Sequence, residues 1–324
     1  MKERKELYRQ LCLQEPSIPI FFQDWWLDAT AGSSNWDIAL VKGKESIIAC
    51  MPYACKKKVG LNISTVPQLT YCLGPWLRPL EARHAKQISY QKEVLEKLIE
   101  LLPPFDHFKQ KWHYTQTNWL PFYWRGFKQT THYTYLLSLL GGEEALWQGF
   151  QENVRREIRK ATSRGGLEVR QDLPVADFFR LNKLVFNRQK IAVPYSENLV
   201  DRIDQACATQ NRRKIFIAQD AEGTLHAGVY IVWDDNSAYY LMGGSDPDLR
   251  NSGAMSLCMW EAIKFAAKVT KNFDFCGSMI EPVEHYVRAF GGVLTPYFTV
   301  SKTPSKLAAT FLYAQSLTHA LRIE

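Results

Sequence analysis

Residues 239–292 read YYLMGGSDPDLRNSGAMSLCMWEAIKFAAKVTKNFDFCGSMIEPVEHYVRAFGG. The run that enters this stretch, Ser237 to Met242, is apolar and aromatic, has strand propensity and stops at Gly243-Gly244. A polar turn over residues 245–251 follows. Ser252 is a good N-cap for a helix whose apolar residues Met255, Leu257, Met259, Ile263 and Ala266 fall mostly at helical spacing. Main-chain N–H groups around Gly253 and Ala254 would point out of that helix start. With Arg250 and Ser252 beside them they predict a cradle for a phosphate or pyrophosphate, since orphan amides and the helix dipole both favour an anion there. A second short strand, Phe273 to Gly277, and a basic helix ending at Arg288 complete the unit.

The rest of the chain is consistent with two copies of one architecture. Residues 1–31 read as helical, Trp36–Val41 and Glu45–Ala54 as a hairpin, and Leu61–Tyr71 as extended; Ala85–Leu101 reads as an amphipathic helix, and His107–Thr115 and Thr130–Leu139 as strands, with an aromatic turn at Leu120–Phe127. After Gly141-Gly142 come a long helix over Glu143–Ser163, a strand near Leu167–Val169 and helices over Val175–Gln189 and Ser196–Thr209. Strands at Lys214–Ala218, His226–Trp233 and Ser237–Met242 lead into the quoted stretch, and Ser305–Arg322 is a final helix. The expected class is α+β, each half a mixed, mostly antiparallel sheet flanked by helices. The expected domains are 1–141 and 142–303, with 304–324 a helix packing back on the first. No low-complexity linker separates the halves, so substrate is expected in a rigid cleft between them.

At 324 residues, 46% hydrophobic and 23% charged, the chain has the composition of an ordinary globular protein. Its formal charge of +7 draws on clusters at Lys56-Lys57-Lys58, residues 155–164 and Arg212-Arg213-Lys214. Solvated faces and turns account for each cluster taken alone more readily than a phosphate or nucleic-acid partner does, so RNA is allowed and not required. Seven cysteines without a C-x-x-C pair argue against a disulfide framework or a zinc site, and no metal is expected. There is no signal-peptide core at the N-terminus and no run near the ~20 apolar residues that cross a bilayer. A cytoplasmic location is expected, with peripheral contact to a membrane-bound substrate left open.

Several of these motifs resemble a known family. Arg250-x-x-Gly253 resembles the start of the pyrophosphate loop of the GNAT acyltransferase fold, with Met255 where that pattern has Gly or Ala. Phe273-Asp274-Phe275-Cys276-Gly277 and Arg288-Ala289-Phe290-Gly291-Gly292 resemble the FemAB/FemX branch more closely. So does the upstream segment with Arg155, Arg159-Lys160-Ala161 and Gly165-Gly166-Leu167-Glu168-Val169. The resemblance spans most of residues 150–301. It implies tandem GNAT-like domains, amide formation on an amine acceptor, aminoacyl-tRNA as donor and a peptidoglycan precursor as acceptor. A thioester donor, acyl-coenzyme A, is the enzymatic alternative, and no tightly bound cofactor is expected. A non-catalytic anion- or RNA-binding protein on the same fold is the alternative of another class, favoured by Met255 and by arginine where the branch has lysine before F-G-G.

Amine acylation needs a proton acceptor and stabilisation of the oxyanion at the acyl carbon. The resemblance places an oxyanion donor in the main chain near Met242 or Gly243. Asp274 alternates away from Phe273 and Phe275 and is the candidate carboxylate, with a structural role as the competing reading. Arg288 is the candidate cation for substrate or transition state and cannot act as a general acid near neutrality. Tyr240, in preference to Tyr239, is expected to face the cleft. Arg155 and Arg159, at i and i+4 on one helix face, and His285, three residues before Arg288, are candidate substrate contacts. The scattered tryptophans of the first half are read as core.

Overall fold

The structure is a computed structural model that describes residues 2–277 and 279–320. In chain order its elements are α1 (Lys2–Gln14), α2 (Asp24–Ala31), β1 (Trp36–Lys42), β2 (Ile47–Lys58), β3 (Leu61–Thr65), β4 (Trp76–Leu77), α3 (His84–Glu100), β5 (His107–Lys111), α4 (Leu120–Trp124), β6 (Lys128–Ser138), α5 (Gly142–Gly149) and α6 (Glu152–Ser163). There follow β7 (Glu168–Arg170), α7 (Val175–Arg188), α8 (Glu197–Thr209), β8 (Arg213–Gln219), β9 (Leu225–Trp233), β10 (Ser237–Ser245), α9 (Ala254–Ala266), β11 (Asn272–Asp274), α10 (Glu281–Arg288), β12 (Val293–Lys302) and α11 (Lys306–Ala320). Residues 321 and 322, assigned to the last helix from the sequence, lie outside the described residues.

Two compact units emerge, residues 1–131 with 297–324, and residues 132–296. The division falls at Thr131/His132, ahead of Gly141-Gly142. In the first unit the strand order is β1-β2-β3-β5 and then residues 297–302 of β12, with β4 against β2. Pairing is antiparallel from β1 to β3 and parallel from β3 to β5. Its core takes in Trp112, Phe108, Phe122 and Phe127, the last three meeting edge-on, and Leu95 and Leu98 from α3. Most of its tryptophans are therefore packing residues. Trp26, Trp36 and Trp112 are fully buried, while Trp124 stands half exposed on the surface.

The second unit runs from residues 132–138 of β6 through β11, β10, β9 and β8 to β7, antiparallel throughout except between β10 and β11. Alternation on β8 and β9 places Phe216, Ala218, Val229 and Ile231 on the face covered by α9 and α6, where Leu257, Met259, Ile263, Val154 and Ile158 complete the core. α7 covers the other face, with Phe178 against Tyr230.

Two expectations are corrected. The long helix over Glu143–Ser163 is two helices, because Phe150 is extended (φ −75°, ψ 145°) and leaves α5 to bury its ring against Trp260 and Phe290. The extended run over Leu61–Tyr71 shrinks to β3, since Leu69 takes a left-handed φ of 57° and the segment leaves the sheet.

Candidate active site

β10 is a strand with one complete edge and one interrupted edge. Against β9 it pairs from Ala238↔Trp233 to Ser245↔Ala227, with a register slip between Tyr240 and Met242. Against β11 it pairs in parallel only at Ser237↔Asn272, Ala238↔Phe273 and Tyr239↔Asp274. Beyond Tyr239 the second edge of β10 has no strand partner among the described residues. A bulge twists its strand locally, which carries the end of β10 away from its neighbour.

The parting is built into the residues that end β11. Asp274 Oδ1 accepts hydrogen bonds from Thr134 Oγ1 at 2.5 Å and from the Cys276 amide at 2.8 Å, and Thr134 Oγ1 in turn accepts the Gly277 amide at 2.8 Å. Cys276 and Gly277 then take left-handed φ values of 58° and 77°, and the chain turns out of the sheet. One oxygen of Asp274 thus does the structural work that the sequence allowed for. The other, Oδ2, is buried with no hydrogen-bond partner among the described residues. Burial pushes the carboxyl up to about 7, and the negative charge of Asp234 adds to the effect against the hydrogen bonds from Thr134 and Cys276.

The two tyrosines divide as alternation requires. Tyr239 is fully buried and donates to Asp234 Oδ2 at 2.9 Å. Tyr240 is half-buried on the α9 side, and its hydroxyl lies so close to Gly243 that a Cβ there would meet it at 1.9 Å. Burial raises this phenol well above its usual range, so it is a neutral donor at physiological pH. On the other side the Gly243 carbonyl accepts Asn182 Nδ2 at 2.7 Å, and a Cβ on Gly244 would strike the Asn182 backbone nitrogen at 2.4 Å. At Gly244 the clash is with main chain and only glycine fits, whereas a side chain at Gly243 would have to displace the Tyr240 hydroxyl.

Arg250–Ser252 form a single 3-10 turn, and Gly253, at φ 81°, precedes the first residue of α9, Ala254. Ser252 is therefore one residue outside the cap position expected for it, though its hydroxyl still accepts the Ala254 amide at 3.3 Å. The first intrahelical bond is from Leu257 to the Gly253 carbonyl. The first-turn amides of Met255 and Ser256 have no intrahelical acceptor. A Cβ on Gly253 would lie 2.2 Å from the Glu157 carbonyl oxygen, so this glycine also lets α6 approach α9. Met255 packs half-buried against the core, and Arg250 is exposed.

On α10, Arg288 and His285 are exposed. Arg288 Nε lies 3.3 Å from Glu284 Oε1, which also accepts the Tyr135 hydroxyl in a short hydrogen bond. Burial, followed by that bond, raises the Tyr135 phenol above its usual range. Consecutive residues of β6 therefore serve both candidate centres, Thr134 holding Asp274 and Tyr135 holding the Glu284–Arg288 pair. The Phe290-Gly291-Gly292 motif is packing and turn chemistry. Phe290 is buried among Phe150, Phe275 and Tyr286, and Gly291, at φ 79°, passes the Gly149 carbonyl so closely that a Cβ would sit 2.6 Å from it.

Arg155 and Arg159 share one acid. Glu152 is bonded by Arg155 Nε at 3.1 Å and Arg159 Nη1 at 3.0 Å, and its carboxyl is lowered chiefly by the bond from Arg159. Arg155 is also held by Gln148 Oε1 at 3.0 Å, while the solvent-screened Arg159–Glu152 pair is weak enough for an incoming phosphate to compete with Glu152. Asn182, Tyr195, Thr134, Tyr135 and the partnering role of Glu284 were not identified from the sequence. Asn182 carried the one readable signal, a polar residue four positions after Phe178 on the apolar face of α7.

Residues 148–286 match the family described as an acetyltransferase (GNAT) domain. These residues form a GNAT domain. The chain thus carries an acyltransferase domain, and its solved structural relatives extend the likeness over nearly the whole chain. FemX superposes with a TM-score of 0.66 at 12% identity, covering 92% of this chain and 95% of its own. The C-terminal domain of a protein designated a lysylphosphatidylglycerol synthetase, from Agrobacterium fabrum, gives 0.52 at 10% identity over 98% and 96% of the two chains. A tandem GNAT protein from the clavulanic acid biosynthesis pathway gives 0.51 at 10% identity over 93% and 95%. At these identities the likeness is one of fold, and the mixed sheets described above are those of a FemX-like, tandem GNAT architecture. No curated protein sequence matches the chain. Among the described residues no cluster of His, Cys, Asp or Glu is placed to hold a metal ion, and no helix is long and apolar enough to cross a membrane.

Proposed function

We propose that the GNAT domain transfers an acyl group, and an aminoacyl group in particular, to an amine, forming an amide. The observation that carries this reading is the interrupted edge of β10. From Tyr240 to Ser245 it offers main-chain groups to whatever lies beside it, and a carbonyl donor is the ligand whose developing oxyanion such groups stabilise. The start of α9, with Arg250, Ser252, Gly253 and Ala254, would take the anionic part of the donor, either the phosphates of acyl-coenzyme A or the terminal phosphodiesters of aminoacyl-tRNA. Arg155 and Arg159 would add phosphate contacts when released from Glu152.

The geometry supports a role for each of these residues. Asp274 Oδ2, buried and without a partner among the described residues, would accept the proton that the amine loses as it attacks. Tyr240 would donate a hydrogen bond within the opening. Arg288, held by Glu284, would meet a negative charge on the acceptor or on the tetrahedral intermediate, with His285 beside it. In the reaction the neutral amine nitrogen attacks the ester or thioester carbonyl, its proton passes to the Asp274 carboxylate, the tetrahedral intermediate collapses with cleavage of the C–O or C–S bond, and that proton is returned to the leaving oxygen or sulfur, which departs as the tRNA hydroxyl or coenzyme A thiol. A peptidoglycan-type precursor is the acceptor proposed, on the likeness to FemX, together with a cytoplasmic setting and peripheral contact with a membrane-held acceptor.

Purified protein incubated with labelled aminoacyl-tRNA or acetyl-coenzyme A and a panel of amine acceptors tests this directly. Labelled amide product is expected with one of the donors. RNA or coenzyme A binding without product across the panel would support a binding protein on a GNAT fold instead.

A further inference from the structure

The end of β10 keeps its shape after losing β11, and the reason lies on α7. Asn182 is 2% exposed, in the middle of a helix that otherwise buries Phe178, Phe179 and Leu181 on that side. Its amide is committed at both ends. Nδ2 donates to the Gly243 carbonyl at 2.7 Å, and Oδ1 accepts the Tyr195 hydroxyl at 2.9 Å. Tyr195, in the connection between α7 and α8, is itself fixed by ring contacts to Phe179 and Phe186 at 6.4 and 6.0 Å. Gly244 rests directly on the backbone of Asn182, and the Tyr240 hydroxyl closes on Gly243 from the other direction.

From this arrangement we infer that Asn182, oriented by Tyr195, is a positioning residue for acyl transfer, setting the peptide planes of Met242–Gly244 at the interrupted edge. A carbonyl held toward α7 fixes the rotation of its own peptide and limits that of its neighbours, because each peptide unit is planar. The amides that would face the donor are thereby set without help from β11. A buried asparagine in a helix interior has low intrinsic preference for that place, and its presence is explained by the two bonds it makes. The inference rests on the acyl-transfer reading for its catalytic meaning and on the structure alone for the clamp itself.

Tyr195→Phe removes one hydroxyl and leaves both ring contacts, so it is the variant that tests the clamp with the fold intact; Asn182→Asp removes the donor to Gly243 and serves as the stronger second variant. Amide hydrogen exchange of the unliganded protein is expected to quicken at residues 241–245 in both, while residues 237–239 and strands β8 and β9 keep wild-type rates. Ile203→Val, in the buried face of α8, is the control for a small general loss of stability. Unchanged exchange at 241–245, or a uniform rise matching that of Ile203→Val, would overturn the inference. In transfer assays with aminoacyl-tRNA or acetyl-coenzyme A, Tyr195→Phe is expected to lower kcat about tenfold with KM nearly unchanged, as misplacement of a transition-state donor does. An unchanged kcat would overturn the catalytic role. If the wild type transfers from neither donor, the acyl-transfer reading fails, and the exchange comparison still decides whether Asn182 fixes the bulge.

Discussion

Asp274 uses its two oxygens for different ends, and the difference is testable. Oδ1 closes the turn that parts β11 from β10, and Oδ2 has no partner among the described residues. Folding raises the carboxyl from its ordinary 3.8 to about 7, so the folded state holds this proton more tightly than the unfolded chain. The stability it contributes is complete below about pH 4 and is lost as pH rises to about 7, an effect on the order of 4 kcal/mol. Asp274→Asn should flatten that fall in thermal unfolding experiments between pH 4 and 7. The same variant should abolish transfer while melting no lower than wild type at pH 8. A wild-type pH–rate profile rising with an apparent pKa near 7 would accompany it. Arg288 is half exposed and, among the described residues, is ion-paired through Nε with Glu284 alone, so Arg288→Ala should cost about 1 kcal/mol of stability or less. If Arg288 meets charge in the transition state, the same change should reduce kcat/KM by 100-fold or so, the scale of one lost electrostatic donor; an equal, small loss of both would make it structural. Alternation along Phe273-Asp274-Phe275 was enough to place Asp274 opposite the two rings. Its tie to Thr134 was not legible, because that contact joins residues 140 positions apart.

Among elements, the start of α9 and the end of β10 depend on glycines for steric reasons the sequence only half revealed. Gly243-Gly244 could be read as a strand stop, yet β10 runs through both to Ser245, because the pair is where Tyr240 and Asn182 press from opposite sides. Gly253 could be read as part of an anion loop, and it is also the point where α6 touches α9. Gly253→Ala combines a left-handed φ with a contact to a backbone oxygen, and should lower stability by about 1–3 kcal/mol in denaturant melts. A variant as stable as wild type would show that α6 can retreat. The break between α5 and α6 was not legible for a related reason: the residues around Phe150 have helical periodicity, and only burial of its ring against Trp260 and Phe290 draws the chain out of the helix. On α6 itself, Glu152→Ala should release Arg159 and leave Arg155 held by Gln148 alone, tightening binding of a phosphate-bearing donor by up to about fivefold at low salt. Weaker binding in a titration with aminoacyl-tRNA or coenzyme A would remove the ridge from the donor path.

For the molecule as a whole, the order of short motifs carried more than any one of them. Strand, glycine pair, polar turn, helix, strand and basic helix, taken together, gave the GNAT domain, whereas Met255 or Arg288 taken singly pointed away from transfer. What the order did not carry was the identity of the polar residues that hold the interrupted edge, since those come from α7 and β6 and meet it only through the fold. Acyl transfer by this domain requires that edge to be a ligand seat. The most direct measurement is a crystal structure with a non-hydrolysable acyl or aminoacyl donor bound. Its acyl carbonyl should lie against the main chain of residues 241–243, with its nearest phosphate at the amides of residues 253–256. A donor bound elsewhere, or an edge filled by the protein's own side chains with the donor present, would contradict the account.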